Sequence, residues 1–207
     1  MGYQPPIQFD RQKFKEVILY ICARTARDRL GAVKLNKTLY YSDMLQFAFT
    51  GHPITGAKYR KRPFGPTADD VLPALRGLVK EGALKIETEK YFGYTKTIYV
   101  PLREPDESQL HESERSLLND AIEFVCNQNT AKTISEFSHN MAWEMVTMGE
   151  EIPYHSAFSL FPLEVSLEAT DWANSVAPEI EAERSKRPEM DYETFAAFRS
   201  RVHEARR

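Results

Sequence analysis

The sequence predicts a mainly α fold with a small antiparallel β element, an α+β chain whose N-terminal core is winged-helix-like and is followed by further helices. Three observations predict it. Phe14, Val17, Ile18, Ile21 and Cys22 recur at i, i+3, i+4, i+7, i+8, the stripe of an amphipathic helix. The segment from Lys34 to Phe49 is apolar around most of a helical circumference, with Leu35, Leu39, Tyr40, Met44, Leu45 and Phe47, as expected of a central, buried helix. Leu84-Ile86-Thr88 alternates with period 2, and Thr97 to Val100 returns around Gly93, which reads as a hairpin.

In chain order, Asp10 is placed to cap the first helix, and Gly31 is expected to end it in a C′ role. Gly51 and Pro53 stop the second helix. Ile54 to Phe64 reads as extended, and a strand there would set Lys58, Arg60 and Arg62 on one face. Gly65-Pro66 turns the chain into a third helix with Val71, Leu72, Leu75, Leu78 and Val79 as its stripe. Pro73 fits only a first turn, so the cap belongs at Asp69 or Asp70 and not at Thr67. Helix, helix, strand, helix, hairpin is the order of a winged helix-turn-helix. Beyond a polar connector, Arg103 to Gln109, a fourth helix is expected over about Ser113 to Asn127, carrying Leu118, Ala121, Ile122 and Val125. A short fifth helix should open at Thr133, with Thr133 and Glu136 as its capping box. Trp143 reads as core. The last segment is heavily charged, but Tyr192, Phe195, Phe198 and Val202 keep helical spacing, marking an amphipathic extension.

Composition narrows the function classes. The 207 residues are 42% hydrophobic and 28% charged with a net charge of -3, which argues against a general nucleic-acid coat and leaves room for a local basic face. Cys22 and Cys126 sit in apolar helical patterns and read as core thiols of a reducing compartment. No membrane-length apolar run and no signal peptide is visible, so the expected location is cytoplasmic, with no membrane partner. The five histidines, His52, His111, His139, His155 and His203, show no ligand spacing, and no P-loop, dinucleotide fingerprint or Gly-flanked nucleophile appears. No catalytic residue, metal or cofactor is therefore expected.

Several clusters instead suit recognition. Tyr40 and Tyr41 with Asp43 form either core or a tyrosine-rich contact surface. Lys58, Arg60, Lys61 and Arg62, with Lys34 and Lys37 one helical turn apart, form a solvated edge, a phosphate-contacting strand, or a face for an acidic protein. Tyr91, Phe92 and Tyr94 crowd the hairpin tip, where Phe92 could serve as part of a DNA-binding wing. The aromatic C-terminal helix could pack on its own domain, on a partner, or on a second copy as a homodimer.

KLNKTLYYSD (Lys34 to Asp43) resembles the K-L-x-K-L-L-Y-x-x-D opening of SocA-like Panacea domains, with Thr38 where many members carry Leu. GHPITGAKYRKRPFGP (Gly51 to Pro66) is similar to the family's G-x-P-(I/L)-T-G, Tyr and (Y/F)-G-P series. ISEFSHN (Ile134 to Asn140), Trp143 and EIPY (Glu151 to Tyr154) resemble its later elements, so the likeness spans about residues 12 to 160. The charged amphipathic segment over 161–207 is expected to be a C-terminal extension, and outside it the resemblance implies a domain over 1–160 and a non-enzymatic bacterial antitoxin. Such a protein would bind a cognate toxin directly, and a SocA-like member delivers its toxin to a Clp-type protease. Lys34, Lys37, Tyr40, Tyr41, Asp43, Tyr59, Arg60, Arg62, Phe64, His139 and Trp143, most of them in the resembling motifs, are the candidate partner-binding residues. The alternative is a winged-helix regulator of its own operon, with Lys58, Arg60, Arg62 and Phe92 on operator DNA.

Overall fold

Asp10 opens the first helix as the sequence predicts, its carboxylate accepting the Lys13 amide at 2.9 Å. The structure, a computed structural model, describes residues 7–91 and 94–160, without the side chains of Tyr91 and Tyr94. Contacts divide the chain after Phe161, and only the first unit is described below.

α1 (Arg11–Arg24) buries Phe14, Val17, Ile18, Ile21 and Cys22, so the stripe faces the core. It ends at Thr25, six residues before Gly31. Gly31 is extended (φ -155°) and serves as the N-cap of α2 (Ala32–Thr50). The chain between them turns on the Ala26 carbonyl, which takes the amides of Arg29 and Leu30, so the glycine starts a helix where a C′ role was expected. α2 is buried on all sides from Leu35 through Met44 except at half-buried Asn36. Gly51 closes it with φ 75°, its amide on the Phe47 carbonyl.

The predicted strand Ile54–Phe64 is much shorter than its extended pattern. Only β1 (Tyr59–Arg60) is ladder-paired, lying antiparallel between β2 (Thr67–Ala68) and β5 (Glu151–Ile152). Pro63 has no amide to pair, and the Gly65 amide turns back to the Arg62 carbonyl at 2.8 Å. α3 (Val71–Lys80) has Asp70 at its N-cap and Pro73 in the first turn, as argued. Its buried face is Val71, Ala74, Leu75 and Leu78, while Leu72 and Val79 look outward. β3 (Leu84–Tyr91) and β4 (Tyr94–Pro101) pair in register from Leu84↔Pro101 to Tyr91↔Tyr94. The aromatic tip around Phe92 lies outside the described residues.

The polar connector is tied down. Glu16 on α1 is buried, yet it takes both Arg103 guanidinium nitrogens at 2.9 and 2.6 Å and the Asp106 amide at 2.8 Å. Burial pushes this carboxyl up, but the Arg103 and Asp106 hydrogen bonds outweigh it and hold the group below its ordinary value. α4 (Glu112–Ile122) continues into a π-turn, Glu123–Asn127, and the pair covers the predicted fourth helix. It joins α1 through Lys13–Glu114 at 2.7 Å and Tyr20–Asn119 at 3.0 Å. α5 (Ala131–Phe137) is capped three residues before the predicted position: Thr130 is the N-cap, and Thr133 is its reciprocal N3 partner. The T-x-x-T box wins because Thr130 already satisfies the Thr133 amide at 3.1 Å. α6 (Met141–Glu144) is a single turn capped by Asn140. Cys22 and Cys126 are both free and buried, as expected.

Candidate interaction site

Two ties hold the loop between α2 and α3, and both start from charged residues that α2 turns inward. The first is Asp43, 1% exposed. It accepts the Thr55 amide at 2.8 Å, the Thr55 hydroxyl, and the Tyr59 and Tyr154 hydroxyls at 2.8 and 3.2 Å. The tyrosines also reach backbone oxygens, Tyr59 to Leu39 at 2.8 Å and Tyr154 to Ala57 at 2.7 Å. Burial raises the Asp43 carboxyl above its ordinary value against the pull of these donors. A protonated Asp43 gives its hydrogen to one phenolic oxygen and frees both phenolic hydrogens for the carbonyls, so the hub is satisfied in that state too. The second tie is Lys37, also 1% exposed. Its ammonium donates to the Phe64 carbonyl and to the Pro66 carbonyl, the latter at 3.2 Å. Burial alone lowers its pKa to about 7.

The loop that Lys37 holds abuts the α5–α6 segment. Ser135 Oγ donates to the Phe64 carbonyl at 3.1 Å, and Trp143 Nε1 to the Arg62 carbonyl at 3.3 Å. The Lys61 ammonium lies over the Trp143 ring, 3.8 Å from its centroid, and donates to the Val146 carbonyl at 2.8 Å. His139 stacks on the same tryptophan at 4.1 Å and 16°. Burial, then the charges of Lys37 and Lys61, lower the His139 pKa and favour the neutral imidazole. Trp143 is thus half-buried at a junction, where the sequence suggested core.

The candidate residues therefore split into two sets. Lys37, Tyr40, Tyr41, Asp43 and Tyr59 are buried and offer no contact area in this conformation. In this conformation the contacts of their side chains are internal. Tyr40 packs edge-on against Tyr41 and Tyr59, each at 5.3 Å, and Tyr41 against Phe124 at 5.7 Å. Lys34 is half-buried and donates to the Cys126 carbonyl at 2.8 Å. Arg60 is held by Asp69 at 2.6 Å and by the Gly149 carbonyl at 3.1 Å, and Lys58 faces Glu151 at 3.5 Å. Arg62 is half-exposed, 4.0 Å from Asp69. Phe64 stands 71% exposed. The backbone carbonyls of Arg62 and Phe64 thus meet the segment that carries Ser135, His139 and Trp143. Sequence reasoning missed Thr55 and Ser135, polar residues whose partners are distant in the chain, and the exposed Met141 and Met145 one turn apart beside the junction. Their signal was apolar side chains on a helix too short to bury them.

Among the described residues no cluster of His, Cys, Asp or Glu could hold a metal, and no helix is long and apolar enough to cross a membrane. The family model described as "Antitoxin SocA-like, Panacea domain" matches residues 35–144, more than half of the chain. The chain belongs to the SocA-like Panacea family of antitoxins. No curated protein and no solved structure matches it. For this Panacea domain the two resembling motifs are halves of one construction. The second lysine of KLNKTLYYSD, Lys37, and its aspartate, Asp43, hold, respectively, the FGP turn and the Thr-Gly turn of the second motif.

Proposed function

We propose that this Panacea protein is a cytoplasmic antitoxin that neutralises a cognate bacterial toxin by direct binding. The contact face is the junction of Arg62, Phe64, His139 and Trp143. Family membership supports the antitoxin role, and the observation that carries the site is Phe64, a large apolar side chain 71% exposed on a loop whose backbone is bonded into the interior. Exposed aromatic anchors of this kind carry most of the energy in protein interfaces. Met141 and Met145, 62% and 69% exposed, add an adaptable apolar rim. No step of this role is catalytic. Residues 161–207 would form a separate extension supplying toxin-specific contacts, and a toxin held in this way could be passed to a Clp-type protease.

The operator-binding alternative draws less support. Lys58 and Arg60 already face carboxylates and Lys61 is spent on Trp143, which leaves Arg62 as the freest cation of the run. The test is co-expression with the protein encoded by the adjoining reading frame. Growth arrest by that protein alone, relieved by this chain and not by its Phe64→Ser variant, is the expected result. Arrest that persists with the wild-type chain present counts against the proposal.

A further inference from the structure

We propose that Lys37 is a positioning residue for toxin recognition: from inside α2 it fixes the turn Arg62–Pro66 so that Phe64 stands preformed to enter an apolar socket on the toxin, beside an acidic group for Arg62. The inference rests on the antitoxin reading above and adds to it the part of the toxin surface that is bound.

Three observations carry it. The backbone of this turn is held while its largest side chain is not. The carbonyls of Arg62, Phe64, Gly65 and Pro66 are all taken, by Gly65 N–H and Trp143, by Lys37 and Ser135, by the Thr67 hydroxyl, and by Lys37 again. Phe64 nevertheless projects outward, 71% exposed. Second, Gly65 has φ 91°, and a Cβ there would run into the Lys37 ammonium and Ser138 Oγ, so the turn is closed around the cation. Third, Lys37 makes no ion pair among the described residues. A buried cation answered only by carbonyls is a poor stabiliser compared with an apolar side chain of the same size. Its return is geometry: a turn fixed before binding loses less freedom on association. The half-exposed Arg62, loosely facing Asp69 at 4.0 Å, is the cation free to meet an acidic group at the rim of that socket.

The experiment uses the full chain and, as probe, the growth-arresting product of the adjoining reading frame. Association and dissociation rates are measured for wild type, Lys37→Met, Phe64→Ala and Lys37→Met/Phe64→Ala, with melting temperatures and amide exchange at Gly65 recorded on the free proteins. Phe64→Ala should weaken binding at least tenfold. Lys37→Met should slow association by a comparable factor and speed exchange at Gly65 while its melting temperature holds or rises. A merely structural lysine would lower melting temperature and affinity together. The double variant should be no weaker than Phe64→Ala alone, because Lys37 acts through Phe64. Wild-type binding by Lys37→Met, or fully additive losses in the double variant, overturns the inference and leaves the antitoxin reading intact. No binding by the wild type overturns both. Should Lys37→Met fail to fold, Ser135→Ala removes the other side-chain donor to the Phe64 carbonyl from the surface. A twofold to fivefold slower association is then expected, and an unchanged rate for both Ser135→Ala and Phe64→Ala is the overturning result.

Discussion

Asp43 and Lys37 lie under two turns apart on one helix, both are 1% exposed, and they are satisfied in opposite ways. Asp43 is met by four donors drawn from three places, Thr55, Tyr59 and Tyr154. Lys37 is met by two carbonyls from a single turn. The first arrangement joins the helix to β1 and to the segment after β5, so it holds the fold. The second joins the helix to one loop, so it sets a shape on the surface. Burial of a charge is thus not one signal: what the charge binds, and from how many places, decides whether stability or presentation depends on it.

The largest expected effect breaks the Asp43 side. Asp43→Ala leaves Thr55, Tyr59 and Tyr154 without their common acceptor and should cost on the order of 3–5 kcal/mol in urea unfolding. A loss below 1 kcal/mol would mean the hub is not what closes the loop. Glycines sharpen the contrast next. Gly56, beside Thr55, has φ 71°, and a Cβ there would strike the backbone carbonyl of Gln8. Gly65, in the Lys37 turn, would strike only the ends of the Lys37 and Ser138 side chains, which can withdraw. Gly56→Ala should therefore destabilise by roughly 2–4 kcal/mol and Gly65→Ala by about 1–2 kcal/mol, compared in the same denaturant series.

On the Lys37 side the contrast also depends on pH. The Lys37 pKa falls from 10.5 to about 7 on folding, so the unfolded chain binds the extra proton between those values. Its contribution to stability is absent below about pH 7 and grows as pH rises toward 10.5. Wild type should gain on Lys37→Met across that window, by at most about 1.4 kcal/mol per pH unit. Parallel melting curves for the two proteins between pH 7 and 10 would show that the lysine does not titrate there. The smallest effect on folding belongs to Phe64→Ser, within about 0.5 kcal/mol of wild type because the ring is mostly solvated. That variant should instead abolish relief of growth arrest.

The elements that rest on local chemistry were legible in the sequence. Asp10, the α1 stripe, the all-round apolar α2, Gly51 and the alternation of the first hairpin strand each depend on residues within a few positions of one another. The failures share a cause. Gly31 serves either helix end until the chain before it is seen to stop at Thr25. Thr133 and Thr130 both offer a cap, and proximity to the preceding turn chooses between them. The site was readable only as a list, because Lys37 and Phe64, 27 positions apart, meet through a backbone oxygen, which no side-chain pattern records. The clue in hand was that Lys37 and Asp43 sit on a helix with no polar face to receive them.

The Tyr154 hydroxyl on Asp43 also bears on where this protein can be cut. The span that identifies the family, 35–144, stops ten residues short of that tyrosine and begins after the whole of α1. A fragment trimmed to the recognised span would lose eight buried residues of α1, the strand that flanks β1, and one donor of the hub. The stretch that carries the ancestry of the domain is shorter than the stretch whose contacts close it, and fragments meant for interaction screens need α1, β5 and Tyr154 as well.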